Sequence, residues 1–134
     1  MMTEQPLCEY YLRDNDVHEL IYNGVGRAAV DEFFAHFERI AATLPPDAVF
    51  RVLTNGTRVK ETQPVRYMFL RVQMIIRTLA HRPIFRVALL ASEDNSMTKI
   101  LDTVFRALLR GQDRMRFFPP NQYNQAMEWL VKDT

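Results

Sequence analysis

Between residues 63 and 82 the apolar side chains Val65, Met68, Phe69, Val72, Ile75, Ile76 and Leu79 recur at spacings of three and four. That spacing gathers them into one stripe along a helix, and the stripe has to be buried. Tyr67, Leu70 and Met74 fall on the other side, interleaved with Arg66, Arg71 and Arg77. A helix that is apolar on two sides is either covered twice or exposes a patch that something else binds. The pattern predicts this helix over residues 64–80, with Pro64 suited to its first turn and His81-Arg82-Pro83 stopping it.

The rest of the chain reads as a scaffold for that helix. Residues 7–13 and 17–22 are tyrosine-rich and β-branched runs separated by Asp14-Asn15-Asp16, a hairpin of two antiparallel strands. Gly24 and Gly26 break the second strand, and residues 27–43 place Val30, Phe33, Phe37, Ile40, Ala41 and Leu44 on one helical face before Pro45-Pro46. A short strand is predicted over 48–53, followed by a polar stretch through Gln63. Asn55-Gly56 within it is a strong hairpin signal, but the segment after the turn is short and charged, so a loop is preferred.

Residues 84–91 are almost continuously apolar, as in a strand covered on both faces, and are the sequence's candidate for the middle of the sheet. A third helix is predicted over 97–110, with Met97, Ile100, Leu101, Val104, Phe105 and Leu108 inward and Gly111 closing it. Residues 115–118 form a last strand and 121–132 a last helix, with Tyr123, Ala126, Met127 and Leu130 inward and Trp129 on the margin. Alternation after an opening hairpin predicts a single α/β domain over 1–134. Its sheet would be mixed and mostly parallel, of about five strands with one antiparallel pair, and covered by four helices.

Length and composition agree: 134 residues, 48% of them hydrophobic, are enough for one core. Charge changes the picture more. Net charge is +1, yet residues 1–50 hold three arginines against nine acidic residues. Between Arg51 and Arg86 eight basic residues face only Glu61. That run suits an acidic protein, a phosphate-bearing ligand or an anionic membrane; a solvated face balanced by the acidic first half accounts for it as well. The single Cys8 allows no internal disulfide, and no signal peptide or long apolar run is visible, which together point to a cytoplasmic protein.

Candidate chemistry is sparse. Gly24-Val25-Gly26-Arg27-Ala28-Ala29 has the Gly-x-Gly-x-x-Ala form of a dinucleotide loop between strand and helix, but the acid expected about 20 residues on is absent. His18, His36 and His81 are scattered, with no metal-ligand spacing among them or with Cys8. Ser92 and Ser96 lack a nucleophile motif; Glu93 and Asp94 lie beyond the carboxyl end of the apolar strand, where open sheets place ligand sites, and helix capping explains them as well. No catalytic set, metal or cofactor is assigned. The loop Thr54, Asn55, Gly56, Thr57 and Arg58, with Lys60 nearby, offers hydroxyls, flexible backbone and cations to an anion.

Two local texts carry a family resemblance: Phe85-Arg86-Val87-Ala88-Leu89-Leu90 before a helix, and Met115-Arg116-Phe117-Phe118 followed by Gln125-Ala126-Met127-Glu128-Trp129-Leu130. With the order of elements, they resemble the STAS domain of the sulfate transporter and anti-sigma factor antagonist family, in its small stand-alone bacterial form. The resemblance implies a regulatory or binding module rather than an enzyme. In the antagonist branch a serine preceded by aspartate, in the loop entering the second helix, is phosphorylated. Here that loop reads Leu53-Thr54-Asn55-Gly56-Thr57, without the Asp-Ser pair, and its hydroxyls are those of Thr54 and Thr57. Another branch resembles lipid carriers, which would set Met68, Phe69, Met97 and Phe105 around a ligand space; at helical spacing the same residues read as core.

The expectation is therefore a non-enzymatic interaction module. Its partner-binding face would be Arg66, Tyr67, Leu70, Arg71, Met74 and Arg77, for a protein partner or a second copy in a homodimer. The alternatives are a carrier of a small apolar or anionic ligand between sheet and helices, and a nucleotide-binding protein at Gly24–Ala29. Nothing in the charge layout calls for nucleic acid.

Overall fold

The computed structural model describes residues 5–61, 63–78, 83–91, 106, 109 and 111–132. Strand β1 (Cys8–Leu12) reverses into β2 (Val17–Tyr22) through a single 3-10 turn, Asp14–Asp16. Asn15 and Asp16 sit there at φ of 61° and 58°, a left-handed conformation that short polar side chains tolerate. Gly26, at φ 122°, turns the chain into α1 (Arg27–Ala41), a conformation closed to residues with a Cβ. Strand β3 (Val49–Asn55), α2 (Val65–Thr78), β4 (Ile84–Leu90), β5 (Arg114–Phe118) and α3 (Tyr123–Val131) follow.

The five strands lie in the order β1-β2-β3-β4-β5, with β1 antiparallel to β2 and the other three pairings parallel. The predicted α/β class, the antiparallel opening pair and the mostly parallel remainder are as the sequence reads. Three helices are described; the helix predicted over 97–110 lies outside the described residues, as do Glu93 and Asp94 and the predicted end of α2 at residues 79–80.

Two readings are corrected. The middle of the sheet is β3, not residues 84–91, because β4 has only β5 between it and the edge. Strand β3 also runs two residues beyond the predicted 48–53, so Thr54 and Asn55 belong to the sheet: Thr54 pairs with Leu20 and Leu89, and Asn55 with Ile21 and Leu90. A central strand gains ladder hydrogen bonds from both neighbours, which outweighs the turn preference of its polar end. Asn55-Gly56 makes no hairpin. Its turn is closed by Asn55 Oδ1, which accepts from the Thr57 amide and hydroxyl at 3.0 and 2.7 Å.

Strand alternation sends two different cores to the two faces. On one, Cys8, Leu20, Tyr22, Phe50, Val52 and Phe85 meet Val30, Phe33, Phe34 and Phe37 of α1 and Met68 and Ile75 of α2. Its centre is aromatic, with the Phe37 ring 4.9 Å from Phe50 and 5.4 Å from Phe85. On the other, Val17, Leu53, Ala88, Leu90 and Phe118 pack against Ala126 and Leu130 of α3.

The second face also carries charge. Arg51 Nε donates to the Leu130 carbonyl at 3.0 Å, and Arg86 donates through Nε and Nη2 to the Trp129 carbonyl at 3.0 and 2.6 Å. The Arg86 guanidinium lies 4.4 Å from the Trp129 ring centre. Two cations from the sheet thus satisfy carbonyls that the last turn of α3 leaves open, at the negative end of its dipole.

Glu19 fastens the same face at the far end of α3. Its side chain is 1% exposed. Oε1 accepts from Arg13 Nε at 2.8 Å and from the Tyr123 hydroxyl at 2.7 Å, and Oε2 accepts from Asn55 Nδ2 at 3.0 Å. Burial first, and then the hydrogen bond and charge of Glu19, push the Tyr123 hydroxyl up to about 12, so it stays protonated and donates at neutral pH.

Two outcomes follow for stability. Replacing Glu19 with Gln sets an amide among donors chosen for a carboxylate, and should lower unfolding free energy by about 2–3 kcal/mol, with Tyr123→Phe costing about 1–2. Urea titration measures both, and a loss below about 0.5 kcal/mol for Glu19→Gln would remove the carboxylate as an anchor.

The second concerns His18, half-buried on the opposite face, edge-on to Phe50, with Nδ1 2.7 Å from the Tyr10 hydroxyl. Burial lowers its proton affinity, partly offset by Asp16. The folded state therefore binds the His18 proton less readily than the unfolded chain, whose value is about 6.5. Its contribution is complete above that pH and is lost as pH falls through the lowered folded value. Between pH 7.5 and 5, wild type should lose more stability than His18→Gln in parallel urea titrations; equal losses would contradict the assignment.

Candidate functional site

The outer side of α2 divides into two rows. Leu70 and Met74, one helical turn apart, are 53% and 52% exposed. Arg66 and Arg77 flank them, exposed and in no ion pair among the described residues. Tyr67 and Arg71, expected to share this outward face, lean instead on α1. The Tyr67 hydroxyl donates to Asp31 Oδ1, and the Arg27 guanidinium lies 5.2 Å from the Tyr67 ring centre. Arg71 stands 3.8 Å from Asp31 and 3.7 Å from Glu38, too far for strong hydrogen bonds, with its Nε buried and unpartnered. The six residues are therefore on one helix but not on one surface.

The loop after β3 is largely committed within the chain. Asn55 is spent on Glu19 and Thr57, and the Gly56 amide donates to the Leu90 carbonyl at 2.8 Å. Arg58 Nη1 donates to Glu9 Oε2 and to Asn23 Oδ1. Thr57 is exposed, and Thr54 is buried beneath the helices. The five residues are contiguous, yet they do not converge on a point where an anion would sit. The Gly24–Ala29 turn is closed in a similar way: Gln63 Oε1 accepts from the Gly26 amide at 3.1 Å, and Gln63 Nε2 donates to the Gly24 carbonyl at 2.7 Å. A side-chain amide thus holds the N–H that a phosphate would need.

Between α1, α2 and the sheet lies a cavity of about 80 Å³. Phe33, Phe34 and Phe37 of α1, Met68, Val72 and Ile75 of α2, and Phe85, Val87 and Leu89 of β4 contribute to its wall. Thr54 joins them as the one polar side chain among the described lining residues. It is 5% exposed, and its Oγ1 has no hydrogen-bond partner. A hydroxyl stranded this way costs about 1–3 kcal/mol, and the unfilled volume costs about 2 kcal/mol more. Of the residues the sequence proposed around such a space, Met68 lines it, Phe69 is not among the described lining residues, and Met97 and Phe105 lie outside the described residues.

A second, polar cavity of about 280 Å³ opens between the starts of β3, β4 and β5, lined by Val49, Arg51, Ile84, Arg86, Gln112, Arg114 and Lys132. Its three arginines are engaged with main-chain carbonyls: Arg51 and Arg86 with α3, Arg114 with Gly111 and Asp113. It reads as the capped end of α3.

Glu19 is the buried functional-type residue that pattern reading passes over. Its signal was present, an acid within the apolar run Val17–Tyr22, but its three donors leave it a fastening rather than a reactive group. The Cys8 thiol is pushed up to about 12 by burial and then by Glu32 and Glu9, which leaves it unreactive. Among the described residues no group of three His, Cys, Asp or Glu side chains could hold a metal ion, and no helix is long and apolar enough to cross a membrane. The chain matches no protein-family model, no curated protein and no solved structure.

Proposed function

We propose that this chain is a non-enzymatic regulatory module of the STAS type, which docks a protein partner on the outer row of α2. The observation that carries this is the pair Leu70 and Met74, each more than half exposed, between the exposed Arg66 and Arg77. An apolar centre inside a charged rim is the usual build of a recognition surface. Its rim also bears on the occupant. A second copy would bring arginine rims together, whereas an acidic rim on a different protein would complement them, so a heterologous acidic partner fits better than self-association. The strand order and the antiparallel opening pair support the STAS-type reading.

The cavity under α2 favours a second reading, carriage of a small apolar ligand between helices and sheet. At about 80 Å³ it takes only a small molecule.

The docking reading is tested by Leu70→Asp and by the double reversal Arg66→Glu with Arg77→Glu. Each should leave the far-ultraviolet spectrum and melting temperature nearly unchanged. Each should weaken binding of the partner recovered with wild type by about tenfold or more, with the wild-type complex weakening as salt rises. Unchanged capture by both variants would end this reading, and a halving of mass in light scattering with Leu70→Asp would assign the face to a homodimer instead.

A further inference from the structure

Three arginines stand abreast on the α3 face of the sheet. Register pairs Arg51 with Arg86 and Arg86 with Arg114, so their side chains leave neighbouring strands in one row, about 4.8 Å from strand to strand. Like charges set side by side in this way repel one another. Lys132, just past the end of α3, brings a fourth cation to the same polar cavity of about 280 Å³. No carboxylate is among its described lining residues, and Arg51, Arg114 and Lys132 are in none of the described ion pairs. Asp113, beside Arg114 in sequence, is buried, and its Oδ1 accepts from the Phe85 amide.

Capping α3 uses only part of what this row offers. A guanidinium carries five N–H donors. Arg51 spends Nε on the Leu130 carbonyl, and Arg114 spends Nη1 on the Gly111 and Asp113 carbonyls; their other N–H groups have no partner among the described residues. Those carbonyls are also neutral groups, and the end of a helix sets only about half a negative charge against the cations.

We propose that this cavity is a binding site for a small phosphate-bearing molecule. Arg51, Arg114 and Lys132 hold the phosphate, and Arg86 lies between the two arginines with its guanidinium fixed on Trp129. The oxygens of a phosphate are set tetrahedrally, so it meets cations arriving from two strands and a helix end at once; a lone carboxylate presents two oxygens in one plane. An apolar cavity of about 150 Å³ takes benzene, so this larger one has room for a phosphate and a second group of similar size. The site shares no residue with the docking row on α2 and does not depend on that reading.

The test is calorimetric titration of the full chain, at constant ionic strength, with pyrophosphate, with glycerol 3-phosphate and with succinate. Both phosphates should bind saturably, and about fivefold or more tightly than succinate. In nitrogen-15 spectra pyrophosphate should shift the Arg51 and Arg114 Nε–H resonances and leave those of exposed Arg66 and Arg77 in place. Arg114→Gln and Lys132→Gln should each weaken pyrophosphate binding about fivefold or more, with Arg77→Gln unchanged. Tighter binding of pyrophosphate than of glycerol 3-phosphate assigns the remaining space to a second phosphate, and the reverse order assigns it to an organic part. Succinate binding as tightly as the phosphates would overturn the phosphate class. No saturable binding of either phosphate, or binding that neither Arg114→Gln nor Lys132→Gln weakens, would overturn the site. If Arg114→Gln fails to fold, Lys132→Gln decides alone, because the Lys132 side chain is exposed and bonded to nothing among the described residues.

Discussion

A carboxylate removed from water must find its charge compensated and its lone pairs occupied, or it does not stay there. Glu19 meets that demand with donors from three separate places: Arg13 beside the first turn, Asn55 at the end of the central strand, and Tyr123 at the start of the last helix. Much of the second face of the sheet is arranged around this constraint. Strand β3 is held in the sheet to Asn55, past the point where a polar end would ordinarily leave it. Helix α3 is pinned at its first residue by Tyr123 and at its last turn by Arg51 and Arg86. This short helix fully buries Ala126 and Leu130 and packs Tyr123, Met127, Trp129 and Val131 partly against the same core, and the polar ties at both ends add to that contact.

The same ties redistribute the charge that stands out in the sequence. Of the basic run from Arg51 to Arg86, Arg51 and Arg86 cap a helix, Arg58 is paired with Glu9, and Arg71 leans toward Asp31 and Glu38. Lys60, Arg66 and Arg77 are exposed and in none of the described ion pairs. The two explanations of that run, a solvated face and a partner surface, therefore apply to different residues. Of the seven described cations in the run, four are engaged within the chain, and of the other three Arg66 and Arg77 flank Leu70 and Met74.

What could be read in the sequence follows from the range of the interactions involved. The strands and helices were legible because alternation and three-and-four spacing are local: Val17–Tyr22, Arg27–Ala41 and Val65–Thr78 lie close to their predicted limits. The outward placement of Leu70 and Met74 was legible for the same reason. The extension of β3 to Asn55 was not, because the groups that make its polar end tolerable are distant, Glu19 lying 36 residues away and Tyr123 meeting Glu19 across 104. The bonds of Arg51 and Arg86 to helix carbonyls, 79 and 43 residues off, are equally invisible to a window of a dozen residues. Thr54 was singled out for its hydroxyl, but as part of a solvent loop; strand parity turns it inward, and a one-residue difference in strand phase decides which face it occupies.

Helix α2 is the element in which these lines meet, and it is fastened differently from its neighbours. Helix α1 buries seven residues; α2 buries Met68 and Ile75. Its polar ties run sideways to α1, through Tyr67 and Asp31 and the longer contacts of Arg71, and those acids are about half exposed, where ion pairs contribute little. Below it the packing is interrupted by the cavity. An element with few fully buried side chains, solvent-screened ties and an unfilled space beneath has a low free energy of local opening. That is also the mechanical condition for admitting a small molecule without unfolding the domain. The 3.6-residue period keeps the inner row, Met68, Val72 and Ile75, apart from the outer pair, Leu70 and Met74, so the docking and ligand readings draw on different side chains of one helix and do not compete.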